Sequence, residues 1–217
     1  MTKKQREIRA KVVKAYLDEI FPSPACELNF SNNFELLIAV ILSARCTDKR
    51  VNQITPKLFQ VCSSPNDFAK VEQKELEKLI YSCGFYSQKA KAIISCSRDI
   101  VNRFGGEVPS NFEDLTSLAG VGRKTANVVM SVGFALPAIA VDTHVFRVSK
   151  RLELTSAKNV LSCEKDLMKL FDKKDWAKLH YQMVLYGRYY CKARGNENWK
   201  RDFLEFEKKF LANNKME

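Results

Sequence analysis

Apolar side chains recur every three or four residues along most of the chain, and no stretch alternates in the two-residue period of a half-buried strand. The pattern predicts helix after helix, an all-α class. The first helix spans residues 1–21, basic on one face and stopped by "PSP". Asn32 with Glu35 three residues on has the spacing of a capping box and starts a helix through Ser43 that contains the apolar run "LLIAVIL". Helical stretches follow at residues 48–60, 65–69, 73–83 and 87–104. Ser110 with Glu113 marks another capping box, opening a helix whose apolar face is Phe112, Leu115 and Leu118. "AGVG" breaks that helix, and a new one runs over residues 124–132. Beyond "LPAIAVD", Val145, Val148 and Leu152 share one helical face, and further helices span residues 163–171, 175–190 and 198–212. Pro137 interrupts the series and places a weak boundary at residues 135–138.

Charge adds a partner to this picture. Thirty-six Lys and Arg against 25 Asp and Glu leave a formal net charge of +11, spread along the chain rather than gathered in a tail. A folded basic face of this kind suits a polyanion, nucleic acid first. The seven cysteines, at 26, 46, 62, 83, 96, 163 and 191, include no C-x-x-C pair, and no signal-peptide core precedes them. They read as reduced thiols of a cytoplasmic protein. "LLIAVIL" is far shorter than the roughly 20 residues a bilayer requires, so no membrane is expected.

Candidate chemistry concentrates at "LAGVGRKTANVV", residues 118–129. A Gly-x-Gly turn between two helices aims backbone N–H groups at a phosphate, since glycine reaches positive φ and carries no Cβ. A nucleotide-binding P-loop is excluded, because Arg123 stands where that motif needs glycine and no strand precedes the turn. Lys124 falls in the first turn of the second helix, where the helix dipole favours a neutral, nucleophilic amine. Position by itself leaves two roles open, phosphate contact and nucleophile. Asp142, in "AIAVDTHVFRV", stands at the start of a helix, the position of an N-cap, and a capping carboxylate keeps its charge. Facing Lys124, it could stabilise a sugar cation or relay a proton at an anomeric carbon. Two histidines and no clustered ligands speak against a catalytic zinc or iron.

These two stretches, with "NFELLIAVILSARCTDKRVN", "CGFYSQKAKAI", "GGEVPSNFEDL" and "LYGRYYC" in the same order and spacing, resemble the helix-hairpin-helix DNA glycosylases, most closely endonuclease III. The resemblance covers nearly the whole chain. It implies two all-α domains with DNA in the cleft between them. A six-helix domain would span residues 26–136, and a discontinuous one residues 1–25 plus 137–217. Lys124 matches the family's nucleophile and Asp142 its catalytic aspartate. The implied activity is a base-excision DNA glycosylase with AP lyase activity, acting on oxidised pyrimidines and abasic sites. Gly120, Val121, Gly122, Arg123 and Thr125 would hold the DNA backbone, joined by Ser43, Arg45, Phe85 and His144. The hairpin carbonyls in relatives can also hold a monovalent cation. The implied partner is damaged double-stranded DNA bound by a monomer, in the cytoplasm at the nucleoid. Two alternatives stand beside it: an 8-oxoguanine-type glycosylase/lyase, and a non-catalytic DNA-binding module.

The departures carry information too. Ala119 replaces the proline usual before the hairpin glycines, and Arg45 stands where relatives commonly carry the glutamine that fills the gap left by the extruded nucleotide. Phe85 matches a bulky wedge position and equally suits a core aromatic. Endonuclease III usually holds a [4Fe–4S] cluster on C-x6-C-x2-C-x5-C. Cys191 matches the first cysteine, but Asn198, Arg201 and Glu207 occupy the other three places, so no cluster is expected. Trp199, Phe203, Phe206 and Phe210 recur at helical spacing, and the expectation is that this amphipathic helix packs where the cluster loop would sit.

Overall fold

The computed structural model describes residues 1–195 and 198–215, and among them every regular element is helical. None of these helices is long and apolar enough to cross a membrane. The chain divides into two compact units, Cys26–Leu136 and a discontinuous unit of Met1–Ala25 with Pro137–Glu217.

Helix α1 (Lys3–Ile20) opens the discontinuous unit and is started by a capping box between Thr2 and Gln5. The continuous unit follows with α2 (Asn33–Ser43), α3 (Asp48–Val61), α4 (Pro65–Lys70), α5 (Gln73–Ile80), α6 (Tyr86–Phe104), α7 (Phe112–Ser117) and α8 (Arg123–Val128). Seven α-helical segments therefore fill this unit, where six were expected. A turn of π-helix, Val129–Gly133, continues α8. Helix α2 is the axis of the unit. Its apolar run makes it hydrophobic all round, and Leu36 to Leu42 are all buried. Asn32 Oδ1 accepts from the Glu35 N–H (2.9 Å), while the Glu35 carboxylate accepts from the Ser31 N–H (2.7 Å), one residue further back than a capping box predicts.

Two boundaries differ from the pattern reading. The cap of α7 is Asn111, whose Oδ1 accepts from the Asp114 N–H (2.9 Å), rather than Ser110 with Glu113. The two pairs overlap with equal spacing, so spacing does not choose between them. Helix α5 stops at Ile80, which frees Cys83 for the loop that enters α6.

The rest of the discontinuous unit comprises α9 (Thr143–Arg151), α10 (Val160–Leu170), a 3-10 turn Lys173–Asp175, α11 (Trp176–Tyr189) and α12 (Asn198–Asn214). Helix α10 begins three residues before the expected 163, capped by Asn159. Val12, Val13, Leu17, Val145, Val148, Leu179, Met183 and Tyr186 meet in one core, so α1 packs with helices from the far end of the sequence. Asp18 clips α1 to α11, bonded to Lys178 Nζ (2.6 Å), Gln182 Nε2 (2.9 Å) and Lys14 Nζ (2.7 Å). Burial by itself would raise the Asp18 carboxyl, but the hydrogen bonds from Lys14, Lys178 and Gln182 outweigh it and hold the group at about 2, below the ordinary 3.8. A depressed carboxylate stabilises above its unfolded value and loses that contribution as pH falls through the folded one. Acid unfolding should therefore steepen between about pH 4 and 2. Asp18→Asn should remove on the order of 1 kcal/mol at neutral pH, allowing for solvent screening, as read by denaturant titration at both pH values.

Candidate active site

The hairpin forms between α7 and α8. Leu118 ends α7, Val121 N–H returns to Leu118 O (3.1 Å), and Gly122 caps α8 with no side-chain bond. Gly120 lies at φ +79°, and a Cβ there would stand 3.0 Å from the Cβ of Ala92 on α6. Glycine is required twice, for the left-handed backbone and for the close approach. Gly120→Ala should cost about 1–3 kcal/mol, measurable as a lower unfolding midpoint.

Val121 between the two glycines is buried. The Arg123 guanidinium lies over the Phe112 ring, 4.7 Å from its centroid, which fixes this cation to α7. Lys124 is exposed in the first turn of α8, with Thr125 half-buried after it. The hairpin carbonyls of Leu118 and Gly122 accept from Val121 and from Ala126 (2.9 Å).

Arg45 and Phe85 come from segments forty residues apart and meet. Arg45 follows α2, Phe85 precedes α6, and the guanidinium carbon lies 5.1 Å from the ring centroid. Both hold left-handed backbone, at φ +53° and +59°. Bulky residues rarely accept that conformation, and such strain concentrates where a side chain must be aimed. Phe85 is 52% exposed, so it is not a core aromatic. With Ile41, Ala44, Gln88, Lys89 and Gly120 the pair lines a cavity of about 460 Å³ that reaches the hairpin. Ser43 donates its hydroxyl hydrogen to Val40 O (2.9 Å), which leaves its oxygen as an acceptor.

Lys89 was not foreseen. It is only 7% exposed and donates to Leu42 O (2.8 Å), binding the C-terminal end of α2 to α6. Burial lowers its amine from the usual 10.5, against the pull of nearby Cys83 and Cys46. The signal was present, since Lys89 precedes Ile93 by one helical repeat and shares its inward face.

In the other unit, Asp142 caps α9: Oδ1 accepts from the N–H groups of His144 (2.8 Å) and Val145 (2.9 Å). The segment before it is held by His180 of α11, 3% exposed, whose Nδ1 donates to Ala140 O (2.7 Å). This tie also escaped the sequence reading, because it joins residues forty apart. Gly187 lets α9 and α11 touch, as a Cβ there would fall 3.0 Å from the His144 Cβ. Arg147 then bonds Gly187 O (2.8 Å), Cys191 O (3.1 Å) and His144 Nδ1 (3.1 Å). Because Arg147 can only donate, His144 carries its proton on Nε2. Desolvation lowers the His144 pKa, with Arg147 and Arg188 adding to it against the charge of Asp142. The ring is therefore neutral near pH 7.

Cys191 is buried and accepts from Arg151 Nη1 (3.4 Å), while the Arg151 guanidinium also lies over Trp199. Glu207 pairs with Arg9 (3.1 Å), and Arg201 contacts Asp202 (3.2 Å). One thiol beside an arginine does not fit a cluster that requires thiolates at all four corners. No group of three or more His, Cys, Asp or Glu that could hold a metal occurs among the described residues. On α12, Trp199 and Phe203 are buried, and Phe206 and Phe210 pack half-buried against the same core. Tyr16 of α1 sits 5.3 Å from the Phe203 ring and 5.1 Å from Phe206.

Residues 38–173 match the family described as HhH-GPD superfamily base excision DNA repair protein. Endonuclease III of Bacillus subtilis is 50% identical over 191 residues, covering 86% of this chain and 87% of that protein. Endonuclease III of Escherichia coli is 44% identical over 178 residues, covering 82% and 84%. Among solved structures, a non-covalent endonuclease III–DNA complex superposes with a TM-score of 0.87 at 44% identity, over 98% of this chain and 99% of that one. A trapped endonuclease III–DNA covalent intermediate gives 0.84 at 47%, over 91% of both. A profile over most of the chain and relatives this similar along nearly their full length place the protein in the endonuclease III family of the HhH-GPD superfamily of base-excision DNA repair proteins.

Proposed function

We propose that this enzyme, a DNA glycosylase and AP lyase of base-excision repair, removes oxidised pyrimidines through a Schiff base on Lys124. The observation that carries the reading is the exposed amine of Lys124 in the first turn of α8, directly after the Gly120–Gly122 turn, in a chain 50% identical to an endonuclease III. The damaged nucleotide leaves the stack at an unstacking cost of a few kcal/mol. Lys124 Nζ attacks C1′, the C1′–N bond breaks, and the base departs taking a proton. The sugar ring then opens to an iminium. Loss of a C2′ proton expels the 3′ phosphate, and water releases the amine from the cleaved strand.

Asp142 supplies the negative charge that favours the cationic sugar, which requires it to reach the same deoxyribose as Lys124. The N–H bonds from His144 and Val145 support an aimed carboxylate. Arg45 and Phe85 enter the duplex, and Arg45 meets the unpaired base opposite the lesion. The enzyme acts on damaged double-stranded DNA as a monomer. It works without an iron–sulfur cluster, α12 taking over the packing role, and the donor set at Cys191, Asn198, Arg201 and Glu207 supports this.

Borohydride trapping on a duplex with one oxidised pyrimidine tests the reading. A covalent protein–DNA adduct is expected. DNA binding without an adduct or strand cleavage would reduce the protein to a binding module.

A further inference from the structure

Cys46 and Cys83 are 37 residues apart in sequence, yet their Sγ atoms lie 3.6 Å apart, the Cys46 thiol directed at Cys83. Cys46 directly follows Arg45, and Cys83 stands two residues before Phe85. The sulfur pair thus joins the two loops that carry the stacked guanidinium and ring. The loops also touch through their backbones, since a Cβ on Gly84 would lie 3.5 Å from Arg45 O. Cys83 is fully buried and Cys46 half-buried, so an oxidant reaches Cys46 first. Burial and the neighbouring Cys46 push the Cys83 thiol up to about 12, while the charges of Lys89 and Arg50 act the other way. The cavity lined by Ala44, Arg45, Phe85 and Lys89 opens beside both loops and is ample for a molecule the size of peroxide.

We propose that Cys46 and Cys83 are a peroxide-oxidised dithiol, whose disulfide cross-links the Arg45 and Phe85 loops and weakens binding to lesion-bearing DNA. The second half rests on the reading that Arg45 and Phe85 enter the duplex. The Cys46 thiolate attacks one oxygen of hydrogen peroxide, giving a sulfenic acid and hydroxide. The Cys83 sulfur then attacks Cys46 Sγ, losing its proton as the sulfenic oxygen leaves as water. In sum, two thiols and one peroxide give one disulfide and two waters. Closing the sulfurs from 3.6 Å to about 2.05 Å draws the loops together. Arg45 adjoins one cysteine and Phe85 lies two residues from the other, so the stacked pair moves with them.

The test uses the reduced full-length protein, treated with hydrogen peroxide and then alkylated, digested and weighed by peptide mass. The expected product joins the Cys46 and Cys83 peptides, lighter than their sum by two hydrogens. Affinity for the lesion duplex should fall about tenfold and return with dithiothreitol. Cys46→Ser and Cys83→Ala should each keep their binding through the same treatment. Recovery of both cysteines alkylated after peroxide would overturn the proposal and leave an ordinary thiol contact. A cross-link with unchanged affinity would overturn its regulatory half. A cross-link in a protein whose reduced form ignores lesion DNA would support the linkage and overturn the proposed function instead.

Discussion

Lys124→Ala should lose the borohydride-trapped adduct completely and cut strand cleavage by on the order of 10³-fold or more, while still binding the duplex. The side chain is exposed and lies outside the core, so circular dichroism and the unfolding midpoint should match the parent protein. Lys124→Arg retains the cation but not a nucleophilic amine, and should be as inactive as the alanine variant. An arginine variant that still cleaved would assign Lys124 to phosphate contact. Asp142→Asn separates a second pair of roles. Asparagine caps a helix about as well as aspartate, so α9 should stay folded. The lost charge should still lower cleavage about 10²-fold. Equal losses of stability and activity would make Asp142 a cap and nothing more.

The second large effect is on stability. Phe203 is 2% exposed, lies against Tyr16 and has the Arg9 guanidinium 5.4 Å from its ring centroid. Phe203→Ala should cost about 3–5 kcal/mol, lowering Tm by roughly 10 °C in a calorimetric scan. The parent protein should purify colourless, without stoichiometric iron, and a chelator should leave its Tm unchanged. A brown protein whose Tm falls on chelation would mean that a cluster, not α12, carries this part of the fold.

Particular residues show how much could be read in advance. Most of the helices followed from three-to-four-residue periodicity, because they bury one face and that spacing is written into adjacent residues, whereas α2 is buried all round and was read from its cap and its apolar run. Asn32, Asn111, Asp142 and Asn159 show what caps allow. All four act as N-caps, yet Asn111 rather than Ser110 was selected, and Asn159 went unread. Local spacing proposes a cap, and packing of the following turn chooses among close alternatives. Phe85 carried two readings of equal weight, and its exposure removes the one that made it a core aromatic.

By itself, then, the chain determined its helical class, the glycine turn before Lys124, the capping aspartate at 142 and the missing thiolates after Cys191. Each depends on residues within a few positions of one another. The tertiary structure alone decided that Lys89 is buried against Leu42, that His180 anchors the segment before Asp142, and that Cys46 meets Cys83. These contacts join residues 37 to 47 apart, and no local pattern specifies which loops close on which. That choice belongs to the whole core, where burying many apolar faces at once selects a single arrangement.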